Sequence, residues 1–295
     1  MKIKTHFLCT ALAAVFFEAS LPTGSCQVVG YATVPIAAGY NFVANPFDTG
    51  DNTLTAVVSP SYPALGTAVY LWNVTNQQYA APSVYSANGW STNFNVPPGT
   101  GFVISSVSSW SLTFYGNVPV GTSTTFYAGT NKFSLLASHI AISEGLAGTN
   151  MTFPGLEGEN VFVYNITNRN FSDACTFYAG YGWFDPNGTF GVSGPVINIA
   201  QSFFAQNLGA STNWVQTYHD SGLMSQFGLQ AGIRSIHAAA GMVVLSILNP
   251  GGTTYSVQFS ADRSSWTTLA ANQTGATWTG PIPSKPQGFY RVTNP

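Results

Sequence analysis

Four residue types in this chain have chemistry of their own: carboxylates, histidines, cysteines and aromatic rings. Of ten acids, Glu18 falls in a leader segment, leaving Asp48, Asp51, Glu144, Glu157, Glu159, Asp173, Asp185, Asp220 and Asp262. Glycoside hydrolysis needs two carboxyl groups flanking one bond. Glu157 and Glu159 are the closest pair, but beside a turn they read as a solvated loop. Asp48, Asp51 and Asn52 carry calcium-binding oxygens without the repeating Asp/Asn spacing of a calcium loop, so a turn is expected. His139, His219 and His237 stand apart, with neither His-Glu-x-x-His spacing nor a nucleophile-elbow serine nearby. His219 and Asp220 are neighbours, and on a strand neighbours point to opposite faces. No catalytic residue, metal site or cofactor is expected from this inventory.

Cys9 lies in the leader and Cys26 at its end, so Cys175 is expected to be the single cysteine of the mature chain, structural and without a disulfide partner. The remaining candidates are aromatic. Trp72, Tyr79, Tyr85, Trp90 and Trp110 are echoed by Tyr164, Phe171, Phe177, Trp183 and Trp214. Matching aromatics in a duplicated chain read first as a duplicated core. Trp90 and Trp183, each preceded by glycine and flanked by turn residues, are the pair expected to offer a ligand-binding surface.

The elements that position these residues follow from composition and repetition. Apolar residues make up 45% of the 295 and charged residues 6%, against roughly 25% charged in ordinary soluble chains. With 14% aromatics the chain has the apolar area to order itself. A formal charge of −2 supplies no basic field for a phosphate backbone, so no nucleic-acid partner is expected. Lys2 and Lys4, an apolar run from Phe7 to Phe17 and small residues Gly24 and Ser25 read as a signal peptide over 1–26. Thr23-Gly24-Ser25-Cys26 also resembles an imperfect lipoprotein signal, which would make Cys26 a lipidation site. After Phe17 no apolar run reaches membrane-spanning length.

Gly66 to Tyr79 aligns without a gap onto Gly158 to Phe171. The match extends to Gly89-Trp90 against Gly182-Trp183, and backwards from Ala38–Phe42 to Ala128–Phe133. It also runs forward from Gly101–Ile104 to Ser202–Ala205 and from Trp110–Phe114 to Trp214–Tyr218, after an insertion around 185–195. Each duplicated block reads as a hairpin, with Asn73/Asn165 and Asn76/Asn168 as turn formers. Pro97-Pro98-Gly99 is a further turn, and 51–58 permits one short helix. Tyr255, Val257 and Phe259 alternate on one strand face, with further strands around Trp266–Leu269, Thr277–Thr279 and Phe289–Val292. The expected fold is all-β: β-modules over 27–121 and 122–220, a connector over 221–240, and a small β-sandwich-like domain over 241–295.

Val29-Gly30-Tyr31, Ala38 to Pro46, Trp72-Asn73, Gly89-Trp90 and Pro98 to Phe102 resemble an uncharacterised family of exported proteins from verrucomicrobial and planctomycete-type bacteria. The tail, Tyr255–Ser260 with Ser265–Thr267 and Gly288–Val292, resembles a small domain at the C-termini of many of their secreted proteins. The second copy departs from the pattern at Ala137-Ser138-His139, where the first has Ala44-Asn45-Pro46. The resemblance implies a secreted β-repeat protein and supplies no catalytic residues. Together these readings lead to an exported, non-enzymatic structural or adhesive protein at the cell surface or outside it, its partner an extracellular glycan or a surface protein. A carbohydrate-binding module with exposed aromatics and an extracellular hydrolase are the alternatives.

Overall fold

The computed structural model describes residues 28–185, 187, 189, 193–218, 231–239, 241–249, 252 and 254–293. The expected signal peptide with Cys26, the His219-Asp220 pair and residues 221–230 of the expected connector lie outside the described residues. The protein is all-β. Among the described residues the α-helix is the turn Leu54–Val57, inside the span where the sequence permits one, followed by a 3-10 turn at Ser59–Ser61. Among the described residues no helix is long and apolar enough to cross a membrane.

The duplication extends to the strand order of the main sheets. The first module has a five-stranded sheet in the order Gly39–Ala44, Gly101–Ser106, Ala68–Tyr70, Ser83–Ser86, Gly89–Trp90. The second repeats that order with Lys132–Ala137, Ser202–Asn207, Asn160–Phe162, Cys175–Tyr178 and Gly182–Phe184. Each adds a two-stranded hairpin and one long antiparallel pair, Val29–Ile36 with Trp110–Asn117 and Gly121–Tyr127 with Thr212–Tyr218. Register refines the sequence alignment in two places. Gly39 pairs with Ser106 and Lys132 with Asn207, so Tyr40, not Phe42, is the counterpart of Phe133. Thr130 and Asn131, both left-handed at φ 62 and 63, are the added residues that obscure this. Likewise Ile36 pairs with Trp110 and Tyr127 with Thr212 at the strand ends, so Trp214 occupies the place of Leu112.

The modules meet about a pseudo-two-fold axis. Val43 bridges Gln201 and Leu136 bridges Thr100, two contacts that the duplication interchanges. The strands Gly39–Ala44, Gly101–Ser106, Lys132–Ala137 and Ser202–Asn207 thereby close into a ring. The crossing is tight: a Cβ on Gly101 would stand 2.9 Å from that of Ser202 and 3.1 Å from Leu135 Cγ.

Three of the C-terminal strands join the first module's long antiparallel pair. Tyr255–Ser260, Thr267–Gln273 and Gln287–Thr293 share a five-stranded sheet with Val29–Ile36 and Trp110–Asn117. Packed against it is a three-stranded sheet of Gly232–Ala239, Met242–Leu248 and Thr277–Pro281. Residues 232–239, expected within a connector, are therefore a strand. A bulge between Ile233 and Ser235 breaks its two-residue period, which is why alternation does not reveal it. Val29–Ile36 is buried on both faces. Ala32 and Ile36 enter the first module's core with Phe47 and Phe114, while Val29 and Tyr31 enter the sandwich core with Tyr290 and Val243.

Candidate functional site

The duplicated hairpins are made by their asparagines. Asn73 Oδ1 accepts the N–H groups of Thr75 and Asn76, both at 3.0 Å, and Asn165 Oδ1 accepts those of Thr167 and Asn168 at 2.9 and 3.1 Å. The left-handed residue of each turn is the next one along, Gln77 or Arg169, both at φ 54. These turns place Trp72 opposite Tyr79 and Tyr164 opposite Phe171, with ring centroids 5.1 and 5.2 Å apart.

The two ring clusters join across the axis. Phe42 lies 4.7 Å from Tyr164 and 4.8 Å from Phe171, and Trp72 lies 4.9 Å from Phe204. Polar contacts fasten the seam: Trp72 Nε1–H donates to the Phe133 carbonyl at 2.9 Å, and Gln77 exchanges two hydrogen bonds with the backbone of Phe133, at 2.8 and 3.0 Å. Between them an open groove of about 280 Å3 is lined by Trp72, Tyr79, Phe133, Phe162, Phe171 and Phe204. Tyr40, 57% exposed, continues the ring system through Tyr70 to Tyr79. Consecutive rings in that series meet at 65°, 67° and 77°. Edge-to-face contacts of this kind stabilise the cluster and leave no coplanar stacking platform.

The two tryptophans singled out by sequence lie elsewhere. Trp183 is 1% exposed, packed on Phe153 and Phe177 and covered by Gly194, where a Cβ would stand 3.0 Å from the indole. It is a core residue, a correction to the expected ligand-binding pair. Gly194 lies within the insertion around 185–195, to which the first module has no counterpart in sequence. Trp90 is half-buried, its ring 5.0 Å from Tyr85 and its Nε1–H bonded to Ser59 Oγ at 3.0 Å. Of the ten echoed aromatics, Trp72, Tyr79, Tyr164 and Phe171 belong to the seam. Phe42, Phe133, Phe162 and Phe204 were not singled out, because their signal is an outward-facing position on strands flanking the hairpins, visible only once register is known.

The carboxylates are dispersed. Glu157 is exposed, its Oε2 accepting the Ala179 N–H at 2.6 Å. Glu159, expected in the same solvated loop, is fully buried. Burial pushes its carboxyl up to about 8, against the opposing pull of the Leu156 N–H and the neighbouring Tyr127 hydroxyl. Asp48 and Asp51 hold turns, accepting the N–H groups of Gly50 and Thr53 respectively. No group of three or more His, Cys, Asp or Glu side chains among the described residues could hold a metal. Cys175 is buried, its thiol pushed up to about 11 by burial and then by Asp185. His139 is half-buried against Gly99 with Nε2 2.9 Å from Thr125 Oγ1, and burial lowers its pKa. A scan of protein-family models finds no match to the chain, and no curated protein matches it.

Proposed function

We propose that this is a non-catalytic, contact-making protein of the cell exterior: a stiff β-scaffold whose aromatic seam receives an apolar side chain of a surface protein. The observation that carries this reading is the seam groove, walled by six aromatic rings and open at a rim that includes Tyr79, 39% exposed. Buried aromatic anchors in well-packed pockets dominate protein–protein contact energies. The angles between rings favour a side chain that inserts over a sugar that stacks. The distribution of carboxylates supports the non-catalytic part, since Glu157 and Glu159 look into different surroundings. The test is attachment of the producing cells to beads coated with the protein. Tyr79→Ser at the rim is expected to lower attachment at least fivefold, and Trp90→Phe to leave it unchanged. Hydrolysis of a polysaccharide or ester panel that disappears on substituting one carboxylate would overturn the reading.

A further inference from the structure

A second concavity lies away from the seam, between the first module and the three-stranded sheet of the sandwich. It has two compartments, of about 660 and 280 Å3, that share the lining residues Pro60, Tyr115 and His237, and the larger falls within the roughly 300–1,000 Å3 range of small-molecule sites. Tyr115 and His237 form its waist, their rings 6.1 Å apart.

Its rim carries a backbone outlier. Tyr62 adopts φ 54, ψ 62, the left-handed region that a bulky residue rarely visits, and it precedes Pro63, which itself disfavours helical conformations in the residue before it. The strain is held locally. The Tyr62 N–H donates to the Ser59 carbonyl at 2.9 Å, and Ser61 Oγ accepts the Thr113 N–H at 2.9 Å, fixing the turn to the strand beneath. Glycine would fit this conformation at lower cost. The ring offers no packing in return, being 86% exposed. Neither backbone nor core accounts for a tyrosine there, and strained residues of this sort gather at ligand sites.

The chemistry around the ring is polar. Ser111 and Thr113 line the wall beneath Tyr62, and Asp48, Asp51 and Arg234 line the smaller compartment. Two carboxylates against one guanidinium disfavour phosphate and other polyanions. Hydroxyl, carboxylate, imidazole and guanidinium groups around aromatic faces suit a ligand with apolar C–H faces and many hydroxyls. We infer that this cleft binds a neutral oligosaccharide, with Tyr62 and Tyr115 packing on sugar faces and the charged side chains receiving and donating hydroxyl hydrogen bonds. The inference does not rest on the seam.

The test is calorimetric titration of the purified protein with cellohexaose, mannohexaose and chitohexaose, with hexagalacturonate as the anionic comparison. At least one neutral hexasaccharide is expected to bind below millimolar concentration and more tightly than hexagalacturonate. Tyr62→Gly is expected to weaken that binding at least tenfold while raising Tm by about 2 °C, because relief of the left-handed strain stabilises the fold. His237→Ala is expected to weaken it as well. The inference is overturned if no neutral hexasaccharide binds, if hexagalacturonate binds more tightly, or if Tyr62→Gly binds normally.

Discussion

Glu159 shows what one residue can do to the behaviour of a whole chain. It stands where Thr67 stands in the first module, and each buries an oxygen without a hydrogen-bond partner, Glu159 Oε1 and Thr67 Oγ1. A carboxyl in that position is cheaper neutral than charged, which is why its pKa rises to about 8. An acid raised on folding binds more protons in the native state than in the unfolded chain between its unfolded value and pH 8. Stability from this group is therefore lost as pH climbs through that window, with a slope of at most about 1.4 kcal/mol per pH unit. His139, whose pKa is lowered, acts with the opposite sign at lower pH, so the comparison must be with a variant. Urea unfolding at pH 5, 6, 7 and 8 should show the native protein losing stability relative to Glu159→Gln as pH rises. Parallel profiles would mean that Glu159 is not neutral in the fold. The sequence does not reveal this burial, because Glu157 and Gly158 beside it look like an exposed turn, as Glu157 proves to be.

At the scale of elements, the hairpins do more than present rings: the first reaches across and holds the second module's edge strand. Gln77 Nε2–H donates to the carbonyls of Val74 at 2.7 Å and Phe133 at 3.0 Å, and its Oε1 accepts the Phe133 N–H at 2.8 Å. Gln77→Ala would leave that N–H and the Val74 carbonyl without these partners, while Trp72 still serves the Phe133 carbonyl. A loss of about 1–3 kcal/mol follows, to be read as a lower urea midpoint at unchanged m-value; an unchanged midpoint would show that the seam is held by its rings alone. The hairpins themselves were legible, since Asn73 and Asn165 carry turn chemistry at matching places in a gapless repeat. Their partner strands were less so. The left-handed pair Thr130-Asn131 shifts the repeat just before Lys132, and strand register sets which residues face the seam. Sequence could therefore name Trp72 and Tyr79 among recurring aromatics, read first as core, but not place them in a groove completed by Phe133 and Phe204.

For the whole molecule, the strand Val29–Ile36 decides how the parts depend on one another. It pairs with Gln287–Thr293 on one side and Trp110–Asn117 on the other, and each of its faces belongs to a different core. Pairing of residues some 260 positions apart, Val29 with Tyr290, leaves no local pattern, so sequence reading places a boundary at 241 where the sheets run continuously between the two ends. Removing residues 231–295 would uncover Val29 and Tyr31 and strip Gly30 of its neighbour Phe289, whose ring stands 2.9 Å from where a Cβ would lie. Burying a side chain of that size contributes about 1.5–3 kcal/mol, and several such contacts would go at once, a loss comparable with the ~5–15 kcal/mol stability of a typical domain. A chain ending at residue 230 is thus expected to lose the cooperative unfolding of its first module, while the Trp214 environment in the second module stays native. Calorimetry would detect the lost transition and show whether the second module's own transition is retained. A truncated chain whose first module melts as it does in the full protein would show that the shared strand joins two cores without making either depend on the other.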